Sequence, residues 1–247
     1  MFEIRSSLVR GSTNDDAVAL LGEPGSAGVV LVADFQRAGK GRRASTWIAP
    51  AGSALLFTAI LPEPVPTDAL WAVPFWTALG VAAGIERATG LRVGLQWPND
   101  LLLDGRKCCG ILCVSRVVGN RAWVGCGSGV NIARPADEPS LIAIEPPPAF
   151  LSDRAGAVTR DTLLYAILAA YEASLPKLRT PVAIARAWER RAGLAGTAYR
   201  LLVDGEAQSF VAIAQRLGSE GALIVATDRG ERRISLAEAR VIRDATA

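Results

Sequence analysis

Two apolar segments enclose a basic, glycine-containing loop, and this arrangement constrains the fold more than any other feature of the sequence. Residues 28–33 and residues 53–61 are rich in branched aliphatic side chains, which predicts two buried strands. The loop between them carries four cationic side chains and a glycine on each side of Lys40. Loop N–H groups and several cations suit a polyphosphate. The loop therefore predicts an anion site, with a solvated basic surface loop as the alternative.

The sequence of 247 residues contains no histidine. This excludes Ser-His-Asp and Cys-His nucleophilic catalysis, imidazole general bases and histidine metal ligands. The four cysteines lie in apolar segments and form no Cys-x-x-Cys pair, so we expect buried thiols rather than a zinc or redox site.

Charge and hydropathy favour a cytoplasmic protein. A net charge of +3 is too small to indicate a nucleic-acid partner. No uninterrupted apolar run reaches the roughly 18 residues of a membrane span. The first residues lack the pattern of a secretory signal. We therefore expect neither nucleic acid nor a membrane as a partner.

Strand and helix patterns divide the chain into two domains, residues 1–191 and residues 192–247. Sequential strands with short turns over residues 101–127 predict an antiparallel meander. Helical periodicity over residues 67–88 contains Pro74, which predicts a late start or a kink. The second domain contains five short strands with turn-rich spacing, which predicts a small SH3-like β-barrel. The predicted class is α+β, with a mixed, largely antiparallel sheet and flanking helices.

Polar residues at three positions mark predicted helix starts. Ser12, Thr159 and Thr180 each precede a helical pattern, and Pro181 occupies the first position of the last one.

Four motifs occur in an order and spacing that resemble the biotin protein ligases. They are Ser12-Thr13-Asn14; Gly39-Lys-Gly-Arg-Arg-Ala44 followed by Trp47; Gln96-Trp-Pro-Asn-Asp100 with Gly105-Arg-Lys-Cys-Cys-Gly-Ile-Leu112; and Gly125-Cys-Gly-Ser-Gly-Val-Asn131. The resemblance covers nearly the whole chain and implies that family's class II synthetase-like catalytic domain and C-terminal barrel. Because the matching part begins at residue 1, it implies the monofunctional form without an N-terminal helix-turn-helix.

The resemblance implies a reaction in two steps. Biotin and ATP, with Mg²⁺, give biotinyl-5′-AMP and pyrophosphate. One lysine of a biotin carboxyl carrier protein or carboxylase domain then attacks the adenylate. The sequence leaves open whether the protein is a monomer or a homodimer, and which carrier it modifies.

The resemblance also assigns roles to single residues. Lys107 and Arg42 are the expected catalytic residues, and Lys107 would lie between the biotin carboxylate and the α-phosphate, where a cation offsets the repulsion of two anions. The expected biotin site comprises Ser12, Thr13, Asn14, Gln36, Lys40, Gly41, Arg42 and Lys107. The expected nucleotide site comprises Gly39, Lys40, Arg42, Arg43, Trp47, Asn99 and Asn131. Asp100 is the candidate Mg²⁺ ligand. For Trp47, adenine stacking and plain packing both stay open.

The chain departs from the family pattern at several positions. Lys40 replaces an arginine, which keeps the charge but not the planar fork. Ala44 replaces a glycine, so we expect a negative φ there. Gln96 and Ser45 replace basic residues, which puts nucleotide affinity in question.

Two alternatives stay open at this point. One is a lipoate or octanoyl transferase-like enzyme, whose ligase form uses a His-Asp pair that this chain cannot supply. The other is a degenerate, non-catalytic biotin-binding homologue.

Overall fold

A computed structural model describes residues 2–136, 141 and 144–242 of the chain. The α-helices are α1 (Thr13–Leu20), α2 (Val73–Thr89), α3 (Arg160–Ser174) and α4 (Pro181–Ala192). The strands are β1 (Glu3–Arg10), β2 (Val29–Gln36), β3 (Ala54–Ile60), β4 (Val65–Pro66), β5 (Gly94–Gln96), β6 (Asp100–Leu103), β7 (Arg106–Val118), β8 (Arg121–Asn131), β9 (Ala198–Val203), β10 (Phe210–Leu217), β11 (Leu223–Thr227), β12 (Gly230–Ile234) and β13 (Ala239–Ile242).

The first eight strands form one sheet in the order β1-β2-β3-β8-β7-β6-β5, with β4 paired to β8. Strands β1 and β2 are parallel, and the other pairs are antiparallel. The apolar strands β2 and β3 lie side by side in the sheet interior, so the basic loop emerges from its centre. The meander of β6, β7 and β8, with its Asp104-Gly105 turn, is confirmed.

One face of this sheet packs against α2 and α3. A 3₁₀ segment, Thr67–Ala72, precedes α2, and Pro74 lies in the first turn of the α-helix, so the predicted late start is confirmed. Residues 67–89 are long and apolar enough to cross a membrane, but 67% of their most apolar window is buried inside the protein. This is the environment of a core helix.

Small residues on α2 let α3 approach closely. A Cβ added at Gly84 would lie 2.7 Å from the Cα and 2.8 Å from the amide nitrogen of Ile167. Because these are backbone atoms of a packed helix, the clash cannot be relieved by rotating a side chain.

We expect Gly84→Ala to destabilise the protein by about 1–3 kcal/mol in urea unfolding, because overpacking forces the helices apart. This sign opposes helix propensity, which favours alanine by about 1 kcal/mol. Ala83→Ser, at the exposed neighbouring position, is the control and should stay within about 0.5 kcal/mol of the wild type. A Gly84→Ala protein more stable than the wild type would contradict the packing argument.

The opposite face of the sheet carries α1. Ala17 and Leu21 pack there against Val29, Leu31 and Ile60. Because α1 is only eight residues long, it covers part of this face and leaves the centre of the sheet beside it open to the basic loop.

The C-terminal strands form a second, antiparallel sheet in the order β12-β11-β10-β9-β13, as the predicted five-stranded barrel requires. Its apolar side chains continue the main core, and Trp97 donates its indole N–H to the carbonyl of Gly221 at 3.1 Å. The domain boundary near residue 192 stays a prediction.

The predicted caps have different outcomes. Thr159 accepts a hydrogen bond from the amide of Thr162 and caps α3 as expected. Ser12 and Thr180 precede α1 and α4 but make no side-chain cap bond. The cysteine prediction is confirmed for Cys108, Cys109 and Cys126, which are buried free thiols, while Cys113 is half-buried.

Candidate active site

A cavity of about 140 Å³ lies beside α1, between the centre of the large sheet and the basic loop. It gathers residues from β2, β3, β7 and β8. All eight residues of the predicted biotin site line it: Ser12, Thr13, Asn14, Gln36, Lys40, Gly41, Arg42 and Lys107. Their individual roles stay predictions.

A buried hydrogen-bond network forms one end of the cavity. The backbone N–H of Thr13 donates to Oε1 of Gln36 at 2.6 Å, and Nδ2 of Asn14 donates to the carbonyl of Leu112 at 3.0 Å. Thr58 lies 2.9 Å from Oγ1 of Thr13 and donates to Oδ1 of Asn14 at 2.7 Å. Thr58 is fully buried on β3 and joins the two motif side chains.

Sequence analysis missed Thr58. Its only signal in the sequence was a hydroxyl group within the otherwise apolar strand β3. A lone polar side chain in a buried strand needs hydrogen-bond partners, and here the partners come from α1.

Thr58→Val should weaken biotin binding by about 10-fold, because the isosteric change leaves Thr13 and Asn14 with one hydrogen-bond partner fewer each. Isothermal titration of biotin into the unliganded protein measures this. Thr58→Ser retains the hydroxyl and should bind within about 3-fold of the wild type. Equal affinities for the valine and serine variants would remove Thr58 from the site.

Cations occupy the other end of the cavity. The ammonium of Lys107 lies 2.6 Å from Oδ1 of the buried Asp100 and 5.3 Å from the ring centroid of Trp47. Burial lowers the pKa of Lys107 to about 8, and the nearby charge of Arg42 acts in the same direction. Lys107 is therefore a cation at pH 7.

The basic loop closes over this end of the cavity. Gly41 donates to the carbonyl of Ser45 at 2.7 Å, and Trp47 donates to the carbonyl of Gly39 at 2.9 Å. Arg42 lines the cavity, and burial followed by the charge of Arg43 lowers its pKa.

The expectation that Ala44 has a negative φ is wrong. Arg43 and Ala44 have φ values of 56° and 60°, so two consecutive L-residues are left-handed. Contacts between the loop and the C-terminal sheet hold this turn. Arg43 donates to the carbonyl of Ala237 at 3.0 Å and to the carboxylate of Asp204.

Glycines on β8 form the floor of the cavity. A Cβ at Gly127 would collide with Oδ1 of Asn14 and lie 2.6 Å from the carbonyl of Leu112. A Cβ at Gly129 would lie 2.6 Å from the Trp47 ring. Glycine at every second position of a strand removes all side chains from one face. The alternating glycines of Gly125-Cys-Gly-Ser-Gly129 are visible in the sequence and predict a strand face without side chains.

A second cavity of about 200 Å³ adjoins the first and shares Thr46, Trp47 and Lys107 with it. Trp47 and Asn131 of the predicted nucleotide site line this second cavity. Asn131 also donates to the carbonyl of Ala149 at 3.0 Å, so it holds the neighbouring loop.

The other predicted nucleotide residues divide into two groups. Lys40, Arg42 and Asn99 line the first cavity. Gly39 and Arg43 are in the lining of neither cavity. A Cβ at Gly39 would lie 3.4 Å from Cβ of Trp47 and collide with its carbonyl oxygen, so this glycine allows the loop to close on itself.

Asp100 is the candidate metal ligand. It is 6% exposed, and its carboxylate is paired with Lys107. Within the ranges that the structure describes, no group of three or more His, Cys, Asp or Glu side chains is placed to hold a metal ion.

Comparison with known proteins identifies the same family that the motifs resemble. The sequence profile of the biotin/lipoate A/B protein ligase family matches residues 12–131. The chain is 33% identical over 240 residues to the biotin--[acetyl-CoA-carboxylase] ligase of Paracoccus denitrificans, covering 92% of this chain and 95% of that protein. It is 30% identical over 238 residues to the bifunctional ligase/repressor BirA of Bacillus subtilis, covering 93% of this chain and 71% of that protein.

Among solved structures, the biotin protein ligase of Aquifex aeolicus in complex with biotin and ATP has a TM-score of 0.77. The match covers 98% of this chain and 99% of that one at 22% identity, which supports the α+β fold. From the two relatives matched along nearly its whole length, the chain belongs to the biotin/lipoate A/B protein ligase family, among the biotin protein ligases.

Proposed function

We propose that the protein is an ATP-dependent biotin protein ligase. It would form biotinyl-5′-AMP and transfer biotin to a lysine of a biotin carboxyl carrier domain. The observation that carries this proposal is the polarity of the first cavity, whose lining combines neutral hydrogen-bonding groups with the cations Lys40, Arg42 and Lys107. Biotin has the same polarity, with a ureido ring at one end and a carboxylate at the other.

The contacts of the site support a specific orientation for biotin. The ureido group would meet the Thr13, Asn14 and Gln36 network. The apolar tail would pass the glycine floor, and the carboxylate would meet Lys107. Two anions approach each other in adenylation, and a preorganised cation stabilises the negative charge that develops on the phosphoryl oxygens.

The first step then follows from position. A carboxylate oxygen attacks the α-phosphorus of ATP, the bond to the β-phosphate breaks, and pyrophosphate leaves. Lys107 lies at the junction of the two cavities, and Arg42 lines the first of them. The adenine would occupy the second cavity beside Trp47, with the adenylate spanning both.

The second step, transfer of biotin to the carrier lysine, requires few further groups of this protein. The neutral amine of a carrier lysine attacks the activated carbonyl, and AMP leaves. An acyl adenylate is already a reactive anhydride, so correct placement of the amine provides most of the acceleration. The absence of histidine is compatible with this chemistry. Carrier and ATP are both cytoplasmic, so we place the protein there.

Mg²⁺ would enter with ATP and reduce the charge of the triphosphate. Asp100 fits it as one carboxylate ligand at most, with phosphate oxygens and water completing the shell, as is usual for Mg²⁺. Because Asp100 is 2.6 Å from Lys107, its carboxylate also orients that ammonium.

The decisive experiment is the exchange of labelled pyrophosphate into ATP by the full chain, with biotin, with lipoate and without either acid. We expect exchange with biotin alone. Exchange that requires lipoate would favour the transferase alternative. Tight binding of biotin without exchange would favour the non-catalytic alternative. Transfer of labelled biotin to a purified carrier domain tests the second step.

A further inference from the structure

The turn at the end of the basic loop is held by contacts with a distant part of the chain. Arg43 and Ala44 adopt left-handed φ values of 56° and 60°, which L-residues populate rarely. Within the loop, Ser45 donates to the carbonyl of Arg42 through its amide at 3.1 Å and its hydroxyl at 2.8 Å. Such a turn persists only where surrounding contacts determine it.

Those contacts come from two turns of the C-terminal sheet. Arg43 donates to the carbonyl of Ala237 and to the carboxylate of Asp204, and Arg42 donates to the carbonyl of Leu236. The amide of Asp204 donates to the carbonyl of Glu238 at 2.9 Å, so the two turns are joined. They form one acceptor cluster, which we call the loop anchor: the carbonyls of residues 236 and 237 and the Asp204 carboxylate.

The two neighbouring arginines therefore have different surroundings. Both donate to the loop anchor, but Arg42 also lines the first cavity, whereas Arg43 lines neither cavity. The side chain of Arg43 is 25% exposed and that of Asp204 is 55% exposed, so this ion pair is partly accessible to solvent.

We propose that Asp204 is a positioning residue for adenylation, a role that rests on the proposed function. Through Arg43, it fixes the turn that holds Lys40 and Arg42 over the cavity. Without this carboxylate, the left-handed turn loses its charged partner and relaxes toward ordinary φ values. The loop then opens more often, and the cations are less often in place when ATP arrives.

Limited trypsin digestion tests the loop anchor without an activity assay. Trypsin cleaves after lysine and arginine, and Lys40, Arg42 and Arg43 all lie in the basic loop. We expect Asp204→Ala to be cut in the loop about 3- to 5-fold faster than the wild type, the range typical of a partly exposed ion pair. Asp228→Ala, in the β11–β12 turn of the same sheet, is the matched control and should be cut at the wild-type rate. Equal rates for all three proteins would overturn the proposal.

Kinetics test the consequence for the reaction. In pyrophosphate exchange, Asp204→Ala should raise the KM for ATP about 3- to 5-fold and change kcat by less than about 2-fold. A changed kcat with an unchanged KM would overturn the positioning role.

A charge exchange separates anchoring from direct phosphate contact. Arg43→Glu alone should be cut rapidly and should have a high KM. Combining it with Asp204→Arg should restore slow cutting and lower the KM. If the double variant is cut slowly but keeps the high KM, Arg43 contacts the nucleotide directly and the proposal is wrong. If even the wild type lacks pyrophosphate exchange, the proposed function is wrong. The digestion would still show whether Asp204 holds the loop closed.

Discussion

Replacing Lys107 with alanine should reduce biotin-dependent pyrophosphate exchange at least about 100-fold while leaving the fold intact. The ammonium lies where the two cavities meet, so its loss leaves the carboxylate of biotin facing the α-phosphate with no cation between them. Removal of the side chain also removes the ion pair that Lys107 makes with the buried carboxylate of Asp100 at 2.6 Å.

Lys177→Ala is the control, because Lys177 is exposed on the 3₁₀ segment after α3 and is distant in sequence from the motifs. Thermal unfolding shows whether each variant is folded at the temperature of the assay, and we expect both to be folded. Near-wild-type exchange by a folded Lys107→Ala protein would remove Lys107 from catalysis. A low unfolding midpoint would instead point to Asp100, and Lys107→Ala with Asp100→Asn would then recover stability but not exchange.

Gly127→Ala should weaken biotin binding at least about 100-fold, because the added methyl group occupies the floor of the cavity and displaces Asn14. The second obstacle is the carbonyl of Leu112 on the adjacent strand, which is backbone and cannot rotate away. Isothermal titration of biotin and urea unfolding together separate lost affinity from lost stability.

Gly125→Ala, two residues earlier on the same face, provides a matched control. A Cβ there would lie 3.1 Å from methyl groups of Thr58 and Val114 and 3.4 Å from Ala17. These are side-chain contacts that small shifts relieve, so we expect affinity within about 5-fold of the wild type. If both alanine variants bind biotin equally, the glycine floor does not shape the site.

The position of Trp47 is compatible with both of the roles that the sequence left open. It packs over Gly110 and Gly129 on the sheet, with a partly buried ring. It also lines both cavities and lies beside Lys107. This position is compatible with packing of the loop and with contact to a ligand, and adenine stacking stays a prediction.

The motifs were sufficient to predict which side chains would meet, but not what joins them. Ser12, Thr13, Asn14 and Gln36 come together as expected. Thr58, which bonds two of them, belongs to no motif. Asp204, which holds Arg43, is 161 positions away in sequence. Such partners are set by strand register and by the docking of the C-terminal sheet, so local patterns carry little trace of them.

By itself, the sequence determined the class of fold, the order of the elements and the eight residues of the expected biotin site that line the first cavity. These follow from hydrophobic periodicity, turn residues and motif spacing, which act over a few residues each. Only the tertiary structure decided that both arginines contact the C-terminal sheet, that Arg42 lines the cavity while Arg43 does not, and that Ala44 is left-handed. The physical reason is that a loop between two strands has several accessible turns, and contacts with distant parts of the chain determine which one is stable.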